Sequence, residues 1–267
     1  MVRRALLLAA GLGTRLRPLT DALPKCLAPV RGRPLLEYWL RALNAAGIEQ
    51  VLVNTHHLAA VVRDYVAACP WAGKVRLVHE VELLGTGGTL LANADFCRGQ
   101  RLLVAHADNL SCFDADAFLS AHDARPRVAE LTMMTFATDT PSSCGVVTTD
   151  ARGLVDGFYE KVDDPPGNRA NAAVYIMEPA VFELAANLGN PRLDISTGLI
   201  PRLLPRIWTW HNGVYHCDIG TLSSWRKAQR DFPDVALPDD GRDAWNRVLE
   251  HSAPHAGPMI RRLLGAA

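Results

Sequence analysis

Leu8-Ala9-Ala10-Gly11-Leu12-Gly13-Thr14-Arg15-Leu16-Arg17-Pro18-Leu19-Thr20, with Pro24-Lys25 just downstream, joins a buried-strand pattern to a glycine-rich, basic loop. An apolar run at residues 5–9 ends there in a Gly-rich loop that carries Arg15. Such a run reads as a strand buried on both faces. Glycines let backbone N–H groups approach a phosphate closely, and Arg15 and Lys25 add fixed positive charge. Two other phosphate loops fail on spacing. The dinucleotide fingerprint Gly-x-Gly-x-x-Gly needs a glycine where Leu16 stands, which argues against a nicotinamide-dependent dehydrogenase. The Gly-Lys-Ser/Thr of the P-loop is missing from the sequence.

Outward from this loop, apolar runs at 50–54, 75–79 and 102–105 alternate with helical periodicity at 34–46, 58–68 and 86–94. Pro34 suits a first helical turn, and Gly47 suits the position just past a helix end. Strand–helix alternation at this spacing predicts right-handed crossovers and a largely parallel sheet, hence an α/β fold. From about residue 131 the pattern changes. Residues 131–137, 145–148, 154–159 and 171–177 are strand-like with short, turn-rich links, so an antiparallel or mixed portion is expected. Residues 179–186 and 221–231 read as helices, and after Pro233 the composition shifts to Pro and Asp. The expected organisation is a body over residues 1–232 and a short helical tail over 233–267, with helices near 243–250 and 258–264. The tail is too short to hold its own core, so it is expected to dock on the body or on another subunit of a homo-oligomer.

The chain has 267 residues, 49% of them hydrophobic, with 28 Lys+Arg against 28 Asp+Glu. That content excludes a disordered chain, and the zero net charge gives no overall pull towards nucleic acid or membrane. No apolar stretch approaches the roughly 18–20 residues that span a bilayer. The run after Arg3-Arg4 ends in Gly-Leu-Gly without a cleavage-site pattern, so a cytoplasmic protein without a signal peptide is expected. Six single cysteines fit reduced thiols better than a disulfide framework. The nine histidines form no metal-ligand spacing; zinc is not expected. Locally the charge is not balanced, because residues 1–41 hold eight basic and two acidic residues. A compact polyanion such as a nucleoside triphosphate fits that face. Single-stranded nucleic acid fits less well, since the only aromatics in the cluster, Tyr38 and Trp39, fall on the core face of a helix.

The loop and the blocks that follow it resemble the sugar-1-phosphate nucleotidylyltransferases, most closely the mannose-1-phosphate and manno-heptose-1-phosphate guanylyltransferases. In order, these blocks are Leu84-Gly85-Thr86-Gly87-Gly88, Ala107-Asp108, Cys144-Gly145-Val146-Val147, Glu160-Lys161, Asn171-Ala172-Ala173-Val174-Tyr175-Ile176 and Asp218-Ile219-Gly220-Thr221. The resemblance covers roughly residues 3–230 and implies a Rossmann-like, three-layer nucleotidyltransferase fold with a mixed, mainly parallel central sheet. It also implies roles. Ala9, Gly11, Gly13 and Thr14 would line the triphosphate, with Arg15 and Lys25 holding it and the departing pyrophosphate. Gly85 and Gly88 would let the backbone approach the nucleoside. Asp108 and Asp218 would bind Mg²⁺, and Gly145, Glu160, Lys161 and Asn171 would receive the sugar 1-phosphate, with Lys161 also catalytic.

At neutral pH a sugar phosphate is already mostly a dianion, so the chemistry needs charge neutralisation and positioning more than a general base. By the resemblance Glu80 stands at the nucleobase edge, where a carboxylate suits the two adjacent N–H donors of guanine; GTP is the expected nucleotide. Uridylyl or thymidylyl transfer is the alternative, as is a regulatory subunit of the same fold, which would be expected to lack the charged residues that this chain retains. His106-Ala107-Asp108 and Asn171-Ala172-Ala173 depart from the Gly-containing versions of many relatives, adding a methyl group and restricting φ at each Ala.

Overall fold

The structure is a computed structural model that describes residues 1–265; the last two residues of the expected tail, Ala266 and Ala267, lie outside the described residues. Its strands are β1 (Arg4–Leu8), β2 (Pro29–Val30), β3 (Arg33–Pro34), β4 (Gln50–Thr55), β5 (Val75–His79), β6 (Leu102–His106), β7 (Asn109–Cys112), β8 (Leu131–Ala137), β9 (Gly145–Thr149), β10 (Val155–Glu160), β11 (Arg169–Met177), β12 (Ile207–His211) and β13 (Tyr215–Asp218). The helices are α1 (Leu19–Ala22), α2 (Leu35–Ala45), α3 (Ala59–Ala68), α4 (Thr86–Ala92), α5 (Ala94–Cys97), α6 (Ala115–Ala124), α7 (Pro179–Asn187), α8 (Ile200–Leu203), α9 (Leu222–Asp231), α10 (Arg242–Arg247) and α11 (Ala256–Leu264).

A nine-stranded mixed sheet runs through the centre in the order β10-β9-β11-β6-β1-β4-β5, with β8 branching from β11 and β12 pairing with β8. The half β5-β4-β1-β6 is parallel, and β11 lies antiparallel to β6. Leu6 and Leu8 pack on one face of the sheet and Ala5, Leu7 and Ala9 on the other, so β1 is buried on both sides and reads as a continuous apolar run. The mixed portion expected after residue 131 is present: β11 pairs antiparallel with β6, β8 and β9. Chain order reverses about β1, with β4 on one side and β6 on the other, and in open α/β sheets the crevice at such strand ends is where ligands bind.

Pro34 is the residue before the first turn of α2, not within it, and is extended at φ −67°, ψ 148°. Gly47 has φ +72° just past the end of that helix, as its position suggested. Beyond residue 232 the tail adds α10, a turn at Val248–Ser252 and α11. Ala244, Trp245, Val248, Ala253 and Ala256 join the same apolar core as α2 and α3, so the tail docks on the body. All six cysteines are free. Among the described residues, no helix is long and apolar enough to cross a membrane.

Candidate active site

The loop leaving β1 is shaped by Gly13, which takes φ +62° and precedes a single tight turn, Thr14–Leu16. A Cβ at Gly13 would lie 2.7 Å from Thr20 Cγ2, so side chains are excluded there by space as well as by conformation. Thr20 Oγ1 donates to Gly13 O at 2.8 Å, and Thr20 O is in turn bonded by His57 Nε2 at 2.7 Å. The loop is thus held from behind by α1, itself bonded by the segment after β4, while Gly11, Thr14 and Arg15 stay exposed.

Gly11, Leu12, Gly13, Thr14, Arg15, Lys25, Leu83, Asp108 and Gly220 line a cleft of about 280 Å³. Six of the residues expected to handle triphosphate and metal therefore meet in one place. Lys25 is buried, and its ammonium donates to Asp108 Oδ2 at 2.7 Å and lies 3.5 Å from Asp218 Oδ1. Burial alone would push the ammonium down, but Asp108 and then Asp218 outweigh it, so Lys25 is held above the ordinary lysine range. Asp108 shows the mirror image. Burial would raise it, yet Lys25 and then His106 hold its carboxyl below the usual carboxylate range. Arg15 approaches the same spot: a Cβ at Gly220 would lie 2.9 Å from Asp218 Oδ2 and 3.2 Å from an Arg15 guanidinium nitrogen.

The two carboxylates arrive from distant parts of the chain. Asp108 sits in the turn between β6 and β7, and Asp218 closes β13, which pairs antiparallel with β7 so that Asp218 faces Asn109. Asp218 does not cap the helix after it; Thr221 does, accepting from the Ser224 N–H at 3.1 Å. Two hard oxygen donors meeting around one positive point form a donor set that fits a divalent cation such as Mg²⁺, which commonly takes one or two carboxylates and fills its shell from phosphates and water. Among the described residues no group of three or more His, Cys, Asp or Glu converges, so the chain supplies no closed zinc-type cage.

A second cluster stands on β9, β10 and β11. Lys161 adopts φ +53°, its N–H donates to Cys144 O at 3.0 Å, and its ammonium lies 3.3 Å from Glu160 Oε1 at an exposed position. Gly145 makes room for that pair, since a Cβ there would fall 2.5 Å from Glu160 Oε2 and 2.7 Å from the Phe158 ring. Asn171 spends both ends of its amide inside β11, donating to Tyr175 Oη at 2.7 Å and accepting from the Ala173 N–H at 2.9 Å. Ala173 itself is held at φ +53° in the bulge where β11 parts from β9 and turns to β6.

Gly85, Gly88 and Glu80, the residues expected beside the nucleoside, make close contacts within the protein itself. The room that glycine leaves at Gly85 and Gly88 is taken by the segment 191–193: a Cβ at Gly85 would lie 3.0 Å from Leu193 O, and one at Gly88 would collide with Pro191 O. The N–H groups of Gly87 and Gly88 both donate to Leu193 O, at 2.8 and 2.9 Å. Close packing therefore requires glycine at Gly88, while at Gly85 it adds to a φ of +77° that already favours glycine. Glu80 is not a loop carboxylate in solvent but is 5% exposed, with Oε1 accepting from Asn54 and Thr89. Ala9 uses its N–H on Asn54 Oδ1 at 2.6 Å, so that donor is committed inside the protein. Thr20 ends the loop motif itself, whereas Asn54 and Thr89 lie outside every motif. The available signal was a lone Asn in the apolar run Val51-Leu52-Val53-Asn54, a buried polar group that demands partners.

A family model described as nucleotidyl transferase matches residues 4–234. The mannose-1-phosphate guanylyltransferase of Mycobacterium tuberculosis is 31% identical over 233 residues, covering 85% of this chain and 64% of that protein. The UTP–glucose-1-phosphate uridylyltransferase of a Synechocystis species is 29% identical over 216 residues, covering 75% of this chain and 55% of its own length. The chain thus spans less than two thirds of either curated relative. Among solved structures, the UDP-glucose pyrophosphorylase of Acinetobacter baumanii superposes with a TM-score of 0.74 at 21% identity, over 94% of this chain and 99% of that one. HddC from Yersinia pseudotuberculosis, complexed with GMP-PN, gives 0.70 at 20% identity over 87% and 100%. The glycine loop, the paired carboxylates and a family match over nearly the whole body converge on one conclusion: the chain belongs to the nucleotidyl transferase family.

Proposed function

We propose that this protein transfers a nucleoside monophosphate from a nucleoside triphosphate to a sugar 1-phosphate and releases pyrophosphate, with GTP and a mannose- or heptose-type sugar 1-phosphate as its substrates. The observation that carries this reading is Lys25 bracketed by Asp108 and Asp218 at the edge of the Gly11–Arg15 loop. A phosphate oxygen of the sugar 1-phosphate attacks the α-phosphorus, and the bond from that phosphorus to the oxygen bridging to the β-phosphate breaks. The electron pair leaves on pyrophosphate. Arg15 and Lys25 bind the triphosphate and stabilise the charge that gathers on the leaving group, while Lys161 holds the incoming phosphate beside Glu160. Asp108 and Asp218 would hold Mg²⁺, which when bound neutralises phosphate oxygens and lowers the repulsion between the two anions.

The guanylyl preference is supported by the Mycobacterium tuberculosis relative and by a carboxylate at position 80. One observation favours a second reading. Glu80 Oε1 already accepts two protein donors, so Oε2, which accepts only the Leu84 N–H at 3.3 Å, is the freer acceptor. Uracil or thymine, with a single N–H, needs no more than that. A pyrophosphate-release assay with GTP, UTP, dTTP and ATP against mannose, glucose and heptose 1-phosphates, with and without Mg²⁺, tests both readings. Turnover fastest with GTP and mannose or heptose 1-phosphate supports the first, and a UTP or dTTP preference selects the second. No pyrophosphate from any pair would overturn the activity.

A further inference from the structure

A buried polar network ties the triphosphate loop to the segment next to the base. The Ala9 N–H donates to Asn54 Oδ1 at 2.6 Å. Asn54 Nδ2 donates to Glu80 Oε1 at 2.9 Å and to Thr89 Oγ1 at 3.1 Å. Thr89 Oγ1 donates to Glu80 Oε1 at 2.6 Å and lies 3.0 Å from Gly85 O, and the Leu84 N–H reaches Glu80 Oε2. Asn54, Glu80 and Thr89 are all buried. Four segments meet here: the exit of β1, the end of β4, the loop after β5 and the first turns of α4.

Asn54 is the hub. Its amide oxygen accepts from the Ala9 N–H and its amide nitrogen faces the acceptors Glu80 Oε1 and Thr89 Oγ1, so an exchange of oxygen and nitrogen would set donor against donor at Ala9. A buried, fully satisfied network of this kind rigidifies the elements that it joins. The β1 exit bonded to Asn54 leads within two residues into the Gly11–Arg15 loop, and the Glu80 carboxylate bonded to it is the group placed at the base edge above. The geometry points to Asn54 as a positioning residue for the nucleotide, setting the triphosphate loop and the base-reading carboxylate in fixed relation; this rests on the nucleotidyl-transfer reading of the site. Asn54 acts through Ala9 and Glu80 rather than by touching phosphate or base. Displacing either partner by about 1 Å is enough to cost roughly a hundredfold in a positioned reaction.

Asn54→Asp and Thr89→Val test this in the full chain. Asn54→Asp keeps an oxygen for the Ala9 N–H but replaces the donor to Glu80 with a second acceptor, so it breaks one arm and spares the other. Thr89→Val removes a donor to the same carboxylate oxygen at nearly constant volume and carries the test if the Asp variant does not fold. Equilibrium binding of Mg²⁺–GTP, –UTP and –dTTP is measured alongside kcat, both KM values with mannose 1-phosphate, and thermal unfolding. The expected result is an NTP affinity weakened about ten- to a hundredfold for Asn54→Asp, from a buried acceptor left badly paired. The ranking among bases narrows in both variants, and the KM for sugar phosphate stays within about twofold of wild type. Wild-type affinity and base ranking in folded variants, with only the unfolding temperature lowered, would reduce Asn54 to a core residue and overturn the assignment. A loss confined to the sugar-phosphate KM would overturn it too. Failure of the underlying reading shows elsewhere: a wild type that binds none of the three triphosphates removes the nucleotidyl site and this inference with it.

Discussion

Lys25 stands between two carboxylates of very different exposure, and that difference separates stability from activity. Asp108 is only 25% exposed in its side chain and makes the 2.7 Å contact, whereas Asp218 is 60% exposed and 3.5 Å away. Deleting one partner of a buried pair costs roughly 3–5 kcal/mol, and an exposed pair is worth roughly 0–1 kcal/mol. Asp108→Ala should therefore lose about 2–4 kcal/mol of stability, and Asp218→Ala less than about 1. Both should lose about a thousandfold or more in turnover, equivalent to about 4 kcal/mol of transition-state stabilisation. Denaturant titration and kcat at saturating Mg²⁺ read the two effects separately; near-normal turnover of Asp218→Ala would overturn its proposed role as a Mg²⁺ ligand. A second residue-scale effect lies far from the cleft. His122 donates through Nε2 to Glu178 Oε1 and is bonded through Nδ1 to Thr132 Oγ1, and burial pushes it down to about 4, with Arg125 adding to that and Glu178 opposing it. Between its unfolded value near 6.5 and about 4, the folded protein binds fewer protons than the unfolded chain. Stability should fall as pH drops through that window, by about 2 kcal/mol between pH 7 and pH 5. His122→Gln, which keeps a neutral hydrogen-bonding group, should flatten this slope in urea titrations at the two pH values; an equally steep slope would place the proton uptake elsewhere.

Ala173 shows an element bending at a cost. In β11 it takes φ +53°, and there the strand leaves β9 for β6. A methyl-bearing residue in that left-handed conformation is strained by about 1 kcal/mol, which glycine avoids. Ala173→Gly should raise Tm by about 2–4 °C in a chain of this size. Calorimetry decides it, and a lowered Tm would mean that the bulge holds no such strain. Elements with a strong pattern are legible in the sequence: β5 and β8 occupy the expected residues, β4 and β6 run one residue longer at their C-terminal ends, and β1 is shifted by one residue. β12, Ile-Trp-Thr-Trp-His, is not among the expected strands although it alternates; β7, Asn-Leu-Ser-Cys, and β13, Tyr-His-Cys-Asp, have neither an apolar run nor clean alternation. Their pairing spans more than a hundred residues and is what carries Asp218 to Asp108. Motif resemblance named both carboxylates, but no local pattern could show that they meet at Lys25. Helix α6 is faint in the sequence for a different reason. Asp114 caps it by accepting from the Ala117 N–H at 2.9 Å, a readable signal, but the sequence Ala-Asp-Ala-Phe-Leu-Ser-Ala-His-Asp-Ala carries only a weak apolar stripe.

At the scale of the whole molecule, the residues beyond 234, where the family match ends, are part of the body's core. Glu37 of α2 is 1% exposed and accepts from both Arg33 and Arg41. Those two arginines reach across to Asp239 and Asp240, at 2.9 and 2.5 Å, and to the carbonyls of Leu237 and Pro238. Gly241 then packs so tightly that a Cβ would lie 2.7 Å from the Glu37 carboxyl. From this latch, α10 crosses α3 with Trp245 and Val248 buried, and α11 comes to rest on α1, the helix whose Thr20 holds Gly13. Burying one large apolar side chain stabilises by about 1.5–3 kcal/mol. Trp245, Val248 and the partly buried Leu249 and Ile260 together approach the roughly 5–15 kcal/mol that a whole domain has in reserve. A chain ending at residue 234 should therefore lose most of its cooperative unfolding transition, or aggregate, although it keeps every residue assigned to the cleft. Gly241→Ala is the milder probe: the added methyl must displace the Glu37 carboxyl, with an expected loss of about 1–3 kcal/mol and no change in base preference. Should the shortened chain instead unfold cooperatively within about 3 °C of the full one, the tail would be an appendage, and the latch on Glu37 a surface contact rather than a support for the Gly11–Arg15 loop.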